Sequence, residues 1–329
     1  MALRIKFSYC VPVFIAIILT SCSSHKTLQA ELSSNKTEQK PYAFFVAGHV
    51  YGFPGESKNN IGVHPPFKKR LDLIRNNSLI EFGVFTGDIV EDGTKETEWD
   101  ELDADIAYIN KKVYFAPGNH DIGNSKGRAI FKKRYGNSYR SFVHKNDLII
   151  ILDPNLDKWN ISEDQLSWLK NVIERNAHEV DNIFVFFHQL LWWTKDGVFK
   201  NYPINSTSGR AENVNFWSEI YPLFENTNKP TFMFAGDTGV YKNGVLYFKF
   251  SKNISFIASG MGGRKQDNFI IAKITENKSV EFELVSLNSE SLNALGKLEQ
   301  VSPWVYFDVL NFDFKSYKLI TCKKVGGFF

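Results

Sequence analysis

Cysteine is scarce in this chain, with three among 329 residues, at positions 10, 22 and 322. A disulfide-stapled scaffold is therefore excluded. Net charge is nearly absent as well: 39 Lys and Arg against 36 Asp and Glu leave +3, which removes any general affinity for nucleic acid or acidic surfaces. Two short basic clusters, Lys68-Lys69-Arg70 and Phe131-Lys132-Lys133-Arg134, read as solvated helix faces. Apolar residues are not lacking. Hydrophobic content of 43% allows a substantial core, and 29 Phe, most of them in apolar runs, read as packing residues of that core.

Five short motifs each follow an apolar run, in the order AGHVYG, FTGDIV, APGNHD, FFHQ and AGDTG. The runs FFVAGHV, EFGVFTGDI, KVYFAPGNH, DNIFVFFHQ and TFMFAGD are near-continuous, as strands covered on both faces are, and each breaks at Gly or a polar residue. Ligand sites in layered α/β sheets collect at the carboxyl ends of such strands. The side chains supplied there are His49, Asp88, Asn119, His120, His188 and Asp237. Imidazole, carboxylate and carboxamide together suit a borderline to hard divalent cation.

Singly, each residue has a structural reading. Gly87-Asp88 is a common turn pair after a strand, His188 fits a buried core histidine, and Asp237 fits a turn cap. Gly118-Asn119-His120-Asp121 after Tyr114-Phe115-Ala116-Pro117 is the most specific element. In order and together, the motifs favour a metal site.

The pattern resembles the calcineurin-like metallophosphoesterase family, whose order is D-x-H, G-D, G-N-H-D or G-N-H-E, a lone His, and G-H-x-H. The resemblance spans roughly Tyr42 to Leu287 and implies an α/β fold, a layered β-sheet sandwich flanked by helices. It places Asp88 at the carboxylate that bridges two metals, Asn119 at the amide ligand, His120 at the acid histidine and His188 at the lone ligand. Two motifs depart from the family. D-x-H reads Ala47-Gly48-His49, and G-H-x-H reads Gly236-Asp237-Thr238-Gly239. One metal position thus retains only His49 and Asp88, whereas the other retains Asp88, Asn119 and His188, with Asp237 where a histidine is expected.

Such a set implies one firmly held metal, and the extra carboxylate favours Mn, Mg or Fe over Zn. The implied reaction is hydrolysis of a phosphate mono- or diester by water that the metal activates. His120 is the expected proton donor, with Asp121 holding its imidazole from the other nitrogen. His49 is expected either to ligate metal or to polarise the phosphate. Arg264, just beyond the glycine-rich loop Ser259-Gly260-Met261-Gly262-Gly263, is the candidate phosphate contact. The alternative is a non-catalytic module of the same fold that holds a phosphorylated glycan or an envelope partner.

Other segments support the fold. Ser162 and Gln165 are spaced as the N-cap and capping-box partner of a helix bearing Leu166, Leu169 and Ile173 on one face. Phe67, Leu71 and Ile74, and likewise Leu102, Ile106 and Ile109, repeat at helical spacing. Four short strands are expected at Val245 to Phe250, Ile254 to Ser259, Asn268 to Ile274 and Ser279 to Val285. The loop from Tyr51 to Pro66 and the pair Trp192-Trp193 are candidate pocket walls, the tryptophans reading equally well as packing.

At the N-terminus, Arg4 and Lys6 precede the apolar stretch Val11 to Leu19, too short to span a membrane. Leu19-Thr20-Ser21-Cys22 resembles a bacterial lipoprotein cleavage box. Residues 1–21 are thus expected to be a signal peptide, Cys22 an acylated N-terminus, 22–40 a polar flexible tether, 41–287 the phosphoesterase domain, and 288–329 an extension of unassigned role. Loss of the signal takes Cys10, acylation occupies Cys22, and Cys322 remains single. The expected location is the bacterial cell envelope, lipid-anchored, with Ser23 after the cysteine fitting the outer membrane of a Gram-negative source. Expected partners are a phosphate-ester small molecule or an envelope glycan or lipid, and the membrane through the acyl chains.

Overall fold

A computed structural model describes residues 40–55, 62–242 and 244–288. The expected signal peptide, Cys22, the expected tether up to residue 39, Cys322 and the stretch beyond Asn288 lie outside the described residues. Within them, no helix is long and apolar enough to cross a membrane.

Eleven strands are described: β1 (Tyr42–Ala47), β2 (Ile80–Phe85), β3 (Lys112–Phe115), β4 (Arg140–His144), β5 (Asp147–Ile151), β6 (Asn182–Phe186), β7 (Thr231–Ala235), β8 (Val245–Lys249), β9 (Ile254–Ser259), β10 (Asn268–Ile274) and β11 (Val280–Ser286). They form two sheets, ordered β11-β10-β1-β2-β3 and β4-β5-β6-β7-β9-β8. In the first, β1, β2 and β3 run parallel, and β10 and β11 add antiparallel. In the second, β5, β6, β7 and β9 run parallel between antiparallel edges β4 and β8. The parallel strands therefore discharge their carboxyl ends on one side of each sheet.

Strand β1 shows why the apolar runs are continuous. Tyr42, Phe44 and Val46 join the layer between the sheets, with Phe184, Phe186 and Phe234 opposite, whereas Ala43, Phe45 and Ala47 join the cluster beneath the helices. With a core on each face, every position is apolar. Phe44 stacks on Phe82 at 5.1 Å and meets Phe184 edge-on at 4.9 Å, so the many phenylalanines have the packing role expected of them.

The helices α1 (Pro65–Lys68), α2 (Leu71–Asn76) and α3 (Glu96–Ile109) bury Phe67, Leu71, Ile74, Leu102 and Ile109 on the first sheet. The short α4 (Asn119–Ile122) and α5 (Ser125–Tyr135) follow β3. On the other sheet, α6 (Glu163–Asn176) buries Leu169 and Ile173. Its start differs from the sequence expectation. Ser162 is the N-cap but its side chain makes no cap bond, because Oγ donates to Asp157 Oδ2 at 2.6 Å. Gln165 instead turns inward, accepting from Asp153 N at 2.8 Å and donating to Asp153 O at 3.0 Å. Tertiary partners have displaced the local capping box.

Candidate metal centre

Each functional side chain leaves a parallel strand at its carboxyl end. Past β1, His49 N donates to Gly87 O at 3.0 Å, and past β7, Asp237 N donates to His188 O at 3.0 Å, so neighbouring loops are pinned by main-chain bonds. His49 and Asp88 both adopt left-handed backbone, with φ of 54° and 47°, a conformation that residues other than glycine seldom take. Gly118 lets the next loop approach, since a Cβ there would overlap both Asp88 Oδ1 and Asp88 N.

Asp88, His188 and Asp237 converge, each buried, with one potential ligand atom apiece and all three atoms within 4.8 Å of one another. Asp88 is the hub. Oδ1 lies 3.2 Å from His188 Nε2 and accepts the His120 amide at 3.2 Å, while Oδ2 lies 3.3 Å from His49 Nε2. Asp237 Oδ1 stands 3.9 Å from His188 Nε2.

The tautomer of His188 follows from its other nitrogen. Nδ1 meets Thr86 O at 2.9 Å, and a carbonyl only accepts, so Nδ1 carries hydrogen. In neutral His188 the bare lone pair of Nε2 then faces two carboxylates, in a fully buried position and without a hydrogen-bond partner among the described residues. Lone pair against anions is stable only with a cation or a proton between them. A carbonyl-held imidazole and two buried carboxylates thus fit a divalent metal.

Without metal, a proton takes that place. Burial alone would push the His188 pKa down, but the charge of Asp88, its contact with Nε2, and Asp237 reverse this and raise it to about 10. Burial opposes ionised Asp88 more than any other single influence, yet His188 and His49 hold it well below the usual carboxylate range. Burial pushes Asp237 up to about 6, and the Asp88 charge adds to that.

His120 lies half-buried with Nδ1 2.7 Å from Glu91 O, so Nε2 is the nitrogen left for substrate. Burial works against its charged form, but Asp88 and the Glu91 carbonyl outweigh burial and raise the pKa. The expected Asp121 partner is corrected by the structure. Asp121 turns away to clamp the loops, Oδ1 accepting from Ile89 N at 2.8 Å and Val90 N at 3.0 Å, and Oδ2 from Gly118 N at 2.7 Å. Burial and the Asp88 charge push it up to about 7, but three N–H donors and no acceptor are the bonding of an ionised carboxylate. Its role is to shape the strand-end loops, and a backbone carbonyl orients His120 instead.

Asn119 opens α4 and is exposed, one residue before the His120 amide on Asp88. Arg264 lies 5.8 Å above the Phe53 ring and its Nε donates to Val240 O at 2.7 Å, which joins the loops after β1 and β7. Trp192 is packing: it is buried and stacks on Phe256 at 4.8 Å. Ala47 is buried in the apolar cluster under the helices, where no carboxylate is presented.

Four participants escaped the sequence reading as site residues. Thr86 and Glu91 act through backbone oxygens, which carry no sequence signature. Glu91 also accepts Gly55 N on its side chain at 2.7 Å, bracing the loop after β1. Asn205 donates from its main chain to Asp237 O at 3.1 Å and receives Val240 N on its carboxamide oxygen at 2.9 Å. Tyr51, expected only as a pocket wall, lies with its ring centroid 4.5 Å from that of His49 and 5.2 Å from that of His120.

The fold has a counterpart among solved structures. Purple acid phosphatase PPD1 from yellow lupin (Lupinus luteus) seeds superposes with a TM-score of 0.57 at 11% identity, over 78% of this chain and 53% of that one. TT1561 of Thermus thermophilus gives a TM-score of 0.41 at 8% identity, over 75% of this chain and 99% of that one. In sequence, a protein of Bacillus subtilis (strain 168) described as uncharacterized protein YvnB is 27% identical over 150 residues. That match covers 38% of this chain and only 11% of the relative. The family model for calcineurin-like phosphoesterases matches residues 60–241, more than half of the chain, which therefore belongs to that family.

Proposed function

We propose that this chain hydrolyses phosphate mono- or diesters with one firmly held divalent cation, Mn, Mg or Fe in preference to Zn. The observation that carries the reading is the buried Nε2 of His188 set between two carboxylates, 3.2 Å from Asp88 Oδ1 and 3.9 Å from Asp237 Oδ1. Asp88, His188 and Asp237 would hold the cation, and two carboxylates against one imidazole favour the harder metals. When bound, such a cation lowers the pKa of water and offsets charge on the phosphoryl group.

The remaining steps belong to the chain. His120, oriented by Glu91 O and with its pKa raised by Asp88 and that carbonyl against burial, is the group that delivers a proton to the leaving oxygen. His49, 3.3 Å from Asp88 Oδ2, steadies the hub carboxylate from the side opposite His188. Hydrolysis of nitrophenyl phosphate mono- and diesters by the full chain is expected to be lost on stripping the metal with a chelator and restored by Mn, and His120→Ala is expected to lower kcat by roughly 100-fold. No turnover of either ester with Mn, Mg or Fe would transfer the reading to a non-catalytic binder of phosphorylated envelope molecules.

We also place the domain on the bacterial envelope, tethered through acyl chains on Cys22. The cleavage-box resemblance supports this. Intact-mass measurement of membrane-extracted chain is expected to find lipid on Cys22 and none in Cys22→Ser; an unmodified, freely soluble wild-type chain would refute it.

A further inference from the structure

Tyr51 holds a position that the metal cluster does not account for. Its turn is tightly built: Gly52 N donates to His49 O at 3.0 Å, Tyr51 N donates to Asp88 O at 3.3 Å, and Gly52 has a φ of 89°. A Cβ on Gly52 would overlap the His64 ring, so only glycine fits at this position of the turn. The Tyr51 ring is consequently wedged between two imidazoles that approach Asp88 by different routes, His49 through its side chain and His120 through its amide.

The hydroxyl is what makes this tyrosine more than a spacer. The residue is 4% exposed, and its oxygen is buried with no hydrogen-bond partner among the described residues. The carboxylates of the neighbouring loops accept from other groups, and none accepts from the Tyr51 hydroxyl. Asp88 Oδ1 takes the His120 amide, Glu91 Oε1 takes Gly55 N, and Asp121 takes three amides. Phenylalanine would fill the same wedge without burying an idle O–H, and an idle buried donor costs stability. A donor kept at such a cost beside the cluster points to an acceptor that arrives from outside.

We propose that Tyr51 is a substrate-contact residue whose hydroxyl donates a hydrogen bond to a non-bridging oxygen of the phosphoryl group. The class of acceptor follows from the surroundings. Tyr51 stands between His120, placed above as the proton donor to the leaving oxygen, and His49, which flanks the hub carboxylate. A tetrahedral anion seated against the cluster presents more than one oxygen, so one can meet His120 while another meets Tyr51. Donors fixed where negative charge accumulates stabilise it without reorganisation. The inference rests on the phosphoester reading and refines its substrate site.

The test uses full-length chain, wild type and Tyr51→Phe, each loaded with Mn. Orthophosphate affinity, measured by calorimetry, is expected to fall roughly 10- to 100-fold in the variant, as for loss of a hydrogen bond to a charged group. The kcat/KM for nitrophenyl phosphate should fall by a similar factor. Mn affinity should stay within about twofold, and the metal-free variant should melt no lower than wild type. Unchanged orthophosphate affinity would overturn the inference, as would loss of Mn binding, which would make the phenol a metal ligand, or a lowered melting temperature, which would make it structural. No orthophosphate binding by wild type would also overturn it. If wild type binds orthophosphate through Tyr51 yet hydrolyses no ester, the hydrolytic reading fails and this one stands. If Tyr51→Phe hydrolyses esters as wild type does, this inference fails and the hydrolytic reading stands.

Discussion

Asparagine at position 88 is expected to lower Mn-dependent hydrolysis by roughly a thousandfold and to leave the purified chain without bound Mn. The substitution keeps the shape of the side chain, and asparagine tolerates the left-handed backbone that Asp88 adopts at φ 47°. The fold is thus preserved and the loss falls on charge. Asp88 is the one carboxylate that His188 Nε2 and His49 Nε2 both approach, at 3.2 and 3.3 Å, and it anchors the amide of His120 as well. An amide there withdraws the anion from both imidazoles and directs either an N–H or a weaker acceptor at them. Metal content after dialysis, measured by atomic emission, and kcat/KM on a nitrophenyl diester would decide the matter together. A variant that keeps one Mn per chain and turns over within tenfold of wild type would remove Asp88 from the centre of the chemistry.

The strands that carry the site were legible because burial on two faces writes an unbroken apolar run, as in β1, β6 and β7. The runs expected at Ile254 to Ser259 and Asn268 to Ile274 coincide with β9 and β10. The hairpin of β4 and β5 was not anticipated, although Asp147–Ile151 is entirely buried, since no motif follows it to draw attention. Asp88, His188 and Asp237, which the structure brings together, are legible as motif residues, whereas Thr86 and Glu91, which meet His188 and His120 through backbone oxygens, are not. Asp121 shows the opposite error. Its neighbour in sequence is a histidine, but a residue on a helical turn points elsewhere, and the carboxylate found three loop amides that needed an acceptor. The Ser162 capping box failed for a related reason, with Asp157 and Asp153 offering better partners than the helix end.

Binding of Mn at pH 7.5 is expected to release close to one proton per chain, and the apparent affinity to rise about tenfold per pH unit above pH 6.5. The cause is competition for a single place. In the metal-free chain the gap between Asp88, Asp237 and His188 Nε2 is closed by a proton, which the facing carboxylates retain until about pH 10, against 6.5 for an ordinary histidine. A group whose pKa is raised by folding stabilises the fold fully below its unfolded value and loses that contribution as pH rises through the folded one. The metal-free chain should therefore lose stability between about pH 6.5 and 10, whereas the Mn-loaded chain, in which the cation replaces the proton, should not. Below about pH 6 Asp237 begins to hold a proton too, because burial raises it, so the affinity curve should steepen there towards two protons per metal. Calorimetric titration in two buffers of different ionisation enthalpy measures the released proton directly, and His188→Gln should abolish the release. Equal heats in both buffers, or an affinity that stays flat from pH 6.5 to 8.5, would mean that the cation does not bind where His188 meets the two carboxylates.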